Sequence, residues 1–156
     1  MIVEEIKGNL LDTEIKFIAH GVNCQNVMGS GVAKALYTKH PEVKKAYHSL
    51  NKKLVPEVCT KKELLGIVQP VVCSETRTVY NCFTQEFYGR DKKIYVDYKS
   101  IKDVFEALTK ILNTIDVFEI AIPKIGCGLA GGSWEIVKEL IDEATGDLLD
   151  VYVYYL

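Results

Sequence analysis

Two stretches of this 156-residue chain combine glycines with small polar side chains where a β-rich run gives way to a helical period. The first is Gly21-Val22-Asn23-Cys24-Gln25-Asn26-Val27-Met28-Gly29-Ser30-Gly31; the second is Ile125-Gly126-Cys127-Gly128-Leu129-Ala130-Gly131-Gly132. Together they hold seven of the eleven glycines. A helix N-terminus presents unpaired N–H groups and about half a positive charge, and glycine lets an anion come close to that backbone. Two such ends on one sheet would grip a diphosphate. The competing reading is that these glycines only make tight strand-to-helix turns.

Familiar phosphate signatures do not fit either loop. Neither reads G-x-x-x-x-G-K-[ST], so the P-loop lysine and its Mg²⁺-binding hydroxyl are missing. Gly29-Ser30-Gly31 begins like a dinucleotide fingerprint, but Lys34 stands where the third glycine belongs. Cys127 sits in an anion-binding type of loop, yet a cysteine phosphatase needs an arginine six positions on, and that position is Ser133. Cys127 therefore reads as a small loop residue. Read from the residues alone, His20 is a strand-end imidazole satisfied by a backbone carbonyl, although a histidine also titrates near neutrality. His40 and His48 fall in helical or turn segments and read as surface residues.

The elements that must carry these loops are legible from periodicity. Ile2, Val3 and Ile6 suggest a strand, and Phe17 to Val22 another. Val32, Leu36, Val43, Tyr47 and Leu50 recur at helical spacing, broken by Pro41. A mid-helix proline costs about 3 kcal/mol, so one helix ends near Lys39 or His40 and a second starts at Pro41. Residues 51 to 63 are polar and read as a solvated connection. Leu65 to Val72 and Thr78 to Phe83 form a hairpin across Ser74-Glu75-Thr76-Arg77. Ile101, Val104, Phe105, Leu108, Ile111 and Leu112 mark a helix capped by Asp97. A strand at Phe118 to Ile122, a helix from Trp134 to Ala144 ended by a left-handed Gly146, and a strand at Val151 to Tyr155 complete the chain. This alternation predicts one three-layer α/β/α domain over residues 1–156, with a central mixed sheet of about six strands.

Nineteen Lys and Arg against 21 Asp and Glu give a net charge of −2, which argues against a general nucleic-acid coat protein. Five cysteines, an odd number without a Cys-x-x-Cys pair, suggest neither a zinc site nor a disulfide framework, and point to a reducing setting. Nothing reads as a membrane span or signal peptide, so a cytoplasmic, monomeric protein without metal or cofactor is expected.

Four ordered segments resemble the macrodomain family. They are Lys7-Gly8-Asn9-Leu10-Leu11; Ala19 to Cys24 with Met28 to Leu36 and Pro41-Glu42-Val43; Ile122 to Leu129 with Trp134; and Val153-Tyr154-Tyr155-Leu156. The resemblance spans nearly the whole chain and implies ADP-ribose as ligand. It places Asn9 at the adenine, where many members use Asp, and Asn23 and Asn26 at the distal ribose. Gly29, Ser30 and Gly31 would line the diphosphate with Gly126, Cys127, Gly128, Leu129, Ala130 and Gly131, and Leu10, Met28, Val32 and Ile125 are further implied ligand contacts. Gln85 and Leu156 complete the implied contacts.

The segments look most like the small macrodomains that include ADP-ribose 1″-phosphate phosphatases, protein-ADP-ribose hydrolases and DNA ADP-ribosyl hydrolases. In the hydrolases a lysine follows the strand equivalent to Val79 to Thr84, where this chain has Gln85. The protein hydrolases also carry an aspartate about where Ala130 stands. The resemblance therefore implies a metal-independent ADP-ribose 1″-phosphate phosphatase, with His20 and Asn26 nearest the chemistry, the imidazole orienting or activating a water or protonating the leaving ribose oxygen; separately, the aromatics and arginine between Gln85 and Tyr98 suggest Tyr88 and Arg90 as lid residues. The alternatives are hydrolysis of ADP-ribose from a modified protein or nucleic acid, and ADP-ribose binding without turnover.

Overall fold

The computed structural model describes residues 1–156. Six strands form one sheet: β1 (Ile2–Lys7), β2 (Phe17–Asn23), β3 (Val68–Ser74), β4 (Arg77–Gln85), β5 (Glu119–Pro123) and β6 (Asp150–Tyr155). Their order is β1-β6-β5-β2-β4-β3, parallel throughout except for β3, which pairs antiparallel with β4 at one edge. Four helices cover it: α1 (Gly31–Lys39), α2 (Glu42–Leu54), α3 (Tyr98–Thr114) and α4 (Trp134–Thr145). The expected three-layer fold with a mixed sheet is the one observed.

Strand alternation explains the two cores. Along β2, Ala19 faces α3 and α4, while Ile18 and Val22 face α1 and α2; β4 does the same with Tyr80 and Cys82 against Val79 and Phe83. Helix α3 buries Ile101, Val104, Phe105, Leu108 and Leu112, each burial contributing roughly 1.5–3 kcal/mol. Ile111, counted in the same apolar spacing, is exposed. Asp97 caps α3, its Oδ2 accepting the Ser100 N–H at 3.0 Å. With nine residues, α1 is too short to be stable alone, and buried Leu36 docks it against the sheet.

Boundaries move where sequence periodicity is silent. Helix α2 runs to Leu54, with Asn51 buried inside it and donating from Nδ2 to Tyr47 O at 2.8 Å, so the polar stretch expected as a connection begins later. A short 3-10 turn at Lys62–Leu64 buries Leu64 within it. β3 starts at Val68, three residues later than expected, and β5 at Glu119, one later. Gly146 ends α4 with φ of +51°. No helix is long and apolar enough to cross a membrane.

Candidate ligand-binding cleft

Strands β2 and β5 lie side by side and parallel, yet the chain leaves β2 for the α1/α2 layer and leaves β5 for α4 on the other. Such divergence opens a crevice beyond the carboxyl ends of the strands. A cleft of about 1220 Å³ lies there. Its sides are the first loop (Val27 to Val32) and the second (Ile125 to Ala130). Strand order puts Asn9, Leu10 and Leu156 at the β1/β6 end, and Gln85, Tyr88, Gly89 and Arg90 at the β4 end.

The positive end of α1 faces this space uncompensated. Ser30 occupies its N-cap without a side-chain cap bond, no acid stands in the first turn, and Ser30, Gly31, Val32 and Ala33 all line the cleft. Helix α4 behaves differently. Ser133 and Trp134 do not line the cleft, and Glu135 sits in the first turn, so the expected grip by two helix ends reduces to one helix end and one loop.

The glycines sort by environment. Gly29 and Gly128 line the cleft, have ordinary φ, and a Cβ on either would meet nothing within 4 Å, so neither the local backbone nor packing demands glycine there. Gly131, expected among the ligand contacts, is not in the lining. It has φ of +72°, and a Cβ would come 2.5 Å from the Lys93 carbonyl oxygen, so glycine there serves chain packing.

Asn23 and Asn26 part company. Asn23 lines the cleft while its side chain builds the first loop, donating from Nδ2 to Val27 O at 2.7 Å and accepting from Gln25 N–H at 2.9 Å. The Tyr47 hydroxyl ties the same loop to α2, accepting from Val27 N–H at 3.1 Å and donating to Asn23 O at 2.8 Å. Asn26, expected next to the chemistry, is outside the lining. Its backbone has φ of +61°, and its Oδ1 lies 2.5 Å from His48 Nδ1 on α2. The turn needed to bring the chain back toward α1 points this side chain at α2. Tyr47→Phe is expected to leave the Val27 N–H and Asn23 O without this partner. Chemical denaturation should show a loss of about 1–3 kcal/mol.

His20 lines the cleft at 1 % exposure, and its tautomer follows from a chain of hydrogen bonds. Gln69 Nε2 donates to Ala46 O at 2.9 Å, so Gln69 Oε1 accepts from Asn81 Nδ2 at 3.1 Å; that Nδ2 also donates to Val43 O at 3.1 Å. Both amide protons of Asn81 are thereby used, and its Oδ1, 2.5 Å from His20 Nε2, must accept. His20 Nδ1 is then a bare acceptor, buried and without a protein partner. Burial is the main cause that lowers the His20 pKa to about 4, with the Asn81 bond opposing it. The ring is neutral at neutral pH and cannot serve there as a resident acid. Neither reading of His20 made at the sequence level, a backbone-satisfied imidazole or a titrating one, describes this partner set.

Cys127 also lines the cleft, and its Sγ–H lies 3.4 Å from Ile125 O. Burial pushes its thiol up to about 11, so it is not a resident nucleophile. Asn9 Oδ1 accepts from Leu11 N–H at 3.0 Å, capping the 3-10 turn Leu10–Asp12 while Asn9 lines the β1/β6 end of the cleft. Gln85 donates from Nε2 to Phe87 O at 2.8 Å. The segment beyond it returns to the second loop, where Ala130 O accepts from Tyr95 N–H at 2.7 Å and from Val96 N–H at 3.2 Å.

The sequence model of the Macro domain family matches residues 19–141. The chain belongs to the macrodomain family. A 17.5 kDa protein of Enterobacteria phage T4 is 30% identical over 98% of this chain and 96% of its own length. An ADP-ribose 1″-phosphate phosphatase of Debaryomyces hansenii is 26% identical over 97% of this macrodomain and 99% of its own length. A DNA ADP-ribosyl glycohydrolase of Mycobacterium tuberculosis is 27% identical, and the macrodomain spans 39% of that protein's length. Among solved structures, a Bacteroides thetaiotaomicron protein superposes with a TM-score of 0.85 at 27% identity, covering 100% of this chain and 98% of that one.

Several cleft residues of this macrodomain escaped the sequence reading. Leu11, Lys124, Tyr154 and Tyr155 line it as well. Lys124 lies within a quoted motif, but its role needs the fold: its Nζ sits 4.6 Å from the Tyr155 ring centre and 3.9 Å from Glu5 Oε1. Asn81 and Gln69, which orient His20, carried no sequence signal, since an amide within a strand pattern does not disclose its partners. His40 and His48 are both partly buried against neighbouring elements rather than exposed.

Proposed function

We propose that the cleft binds ADP-ribose 1″-phosphate and that the protein hydrolyses it to ADP-ribose and inorganic phosphate. The observation that carries this reading is the charge of the lining side chains: they include Lys124 toward β6 and Arg90 after β4, with the uncapped N-terminus of α1 and no Asp or Glu, in a chain of net charge −2. Such a wall suits a ligand that is anionic at its centre and again at one end. Adenosine lies at Asn9 and Leu10, the diphosphate between Gly29 to Gly31 and Gly126 to Leu129, and the terminal phosphate toward Arg90.

Relatives support the same choice. The chain aligns with nearly the full length of the yeast phosphatase but with about two fifths of the DNA glycohydrolase. Gln85 and Ala130 stand where the hydrolase pattern carries lysine and aspartate. Binding energy from adenosine and diphosphate fixes the terminal phosphate in place. His20 Nδ1 accepts a hydrogen bond from the attacking water or from the phosphate's own O–H, which orients without transferring a resident proton.

The deciding experiment offers the protein ADP-ribose 1″-phosphate, ADP-ribosylated protein and ADP-ribosylated DNA, and follows phosphate and ADP-ribose. Phosphate release from the first alone is the expected result. ADP-ribose release from either macromolecule would install the hydrolase reading, and tight ADP-ribose binding with no turnover would make this a binding module. Arg90→Ala is expected to weaken capture of the 1″-phosphate by roughly 10- to 100-fold, the loss of one charge-assisted contact. Its affinity for ADP-ribose in calorimetry should change by less than about threefold on the same reasoning.

A further inference from the structure

We propose that His40, Glu42 and Cys73 form a binding site for a thiolate-seeking divalent metal ion, with Zn²⁺ as its occupant. One ligand atom from each, an imidazole nitrogen, a carboxylate oxygen and a thiol sulfur, lies within 4.8 Å of the others, and all three residues are partly buried. Nitrogen, sulfur and oxygen donors in this combination are those Zn²⁺ selects, and three protein ligands leave a fourth position open to solvent. The donors come from three rigid places: the C-cap of α1, the first turn of α2 and the edge strand β3. None of the three lines the ligand cleft.

A second observation comes from His40 itself. Its Nε2 is shut off from solvent and has no hydrogen-bond partner, and its Nδ1 lies 3.9 Å from Glu42 Oε1, beyond hydrogen-bond length. A sequestered ring nitrogen without a partner is costly, and in the proposed site the metal ion takes Nε2 as its imidazole ligand and satisfies it. Cys73 is a resting thiol pushed up to about 11 by burial, so binding releases its proton. A thiolate and a carboxylate then neutralise the dication. Arg77 and Lys39 are the nearby positive charges. The Arg77 guanidinium is held by Thr13 O and Ile15 O, each at 2.8 Å. Zinc spacing was invisible in the sequence because the ligands follow no Cys-x-x-Cys pattern and meet only through the α1/α2 junction.

The test uses the whole protein, reduced and metal-free. Titration with Co²⁺ should give one equivalent of binding and a thiolate-to-metal absorption band that Zn²⁺ displaces. Cys73→Ser should abolish the band, and His40→Gln should weaken binding beyond the roughly 10- to 100-fold that loss of an outer-shell partner costs. Zn²⁺ should also slow alkylation of Cys73, read by mass spectrometry, more than that of the other four cysteines. Both variants should still melt cooperatively, showing that they fold. Absence of stoichiometric binding at micromolar metal, or a band that survives Cys73→Ser, overturns the site.

Discussion

Gly128→Val is expected to cost on the order of 100-fold in ADP-ribose affinity, the scale on which small misplacements in a fitted site act, while Tm stays within a few degrees. Position 128 has an ordinary φ and open space around the Cβ direction, so the added side chain strains nothing in the fold and stands where the ligand must approach the backbone. Gly131→Val should do the reverse. There the backbone has φ of +72° and the new Cβ would fall 2.5 Å from Lys93 O, so strain and overpacking should cost roughly 2–6 kcal/mol. For a domain of this size that is a fall in Tm on the order of 10 °C. Calorimetry with ADP-ribose and thermal melts on the two variants give the comparison. Equal melting losses would remove the distinction between the two glycines.

That distinction marks where sequence reading stops. The loop composition singled out the two loops that line the cleft, and the spacing of Val104, Phe105 and Leu108 marked the helix behind it, because both signals are local. Whether a given glycine serves a ligand or a neighbouring carbonyl depends on Lys93, far away in the chain, and no spacing records that. The same applies to Asn23 and Asn26, alike in the sequence and three residues apart. One lines the cleft, while the other turns to His48 because its backbone adopts a positive φ. Tyr47 sat correctly in an apolar helical period, yet its hydroxyl pins the first loop, a task that periodicity cannot disclose.

The second large effect is on acid stability. His20 titrates at about 4 in the folded protein against an ordinary 6.5. Above pH 6.5 the ring is neutral in both states and contributes no pH dependence. Between 6.5 and 4 the unfolded chain binds a proton that the native state refuses, so stability falls as pH drops, by about 3 kcal/mol in all from this one group. Urea unfolding at pH 7 and pH 4.5 should reveal the loss, and His20→Gln, whose amide can still donate to Asn81, should flatten it. Phosphate release should correspondingly show no limb near pH 6.5 arising from His20. An NMR titration placing the native His20 ring near 6.5 would defeat both expectations.

The double hydrogen bond at Ala130 separates two jobs that one residue usually shares. The main-chain oxygen holds the returning segment at Tyr95 and Val96, whatever side chain the residue bears. The side-chain position, meanwhile, belongs to a residue that lines the cleft. Because the holding groups are backbone atoms, a change of side chain there alters the wall of the cleft without removing the bonds that hold the returning segment. The fold thus supplies a fixed mechanical point and an interchangeable chemical one at a single residue.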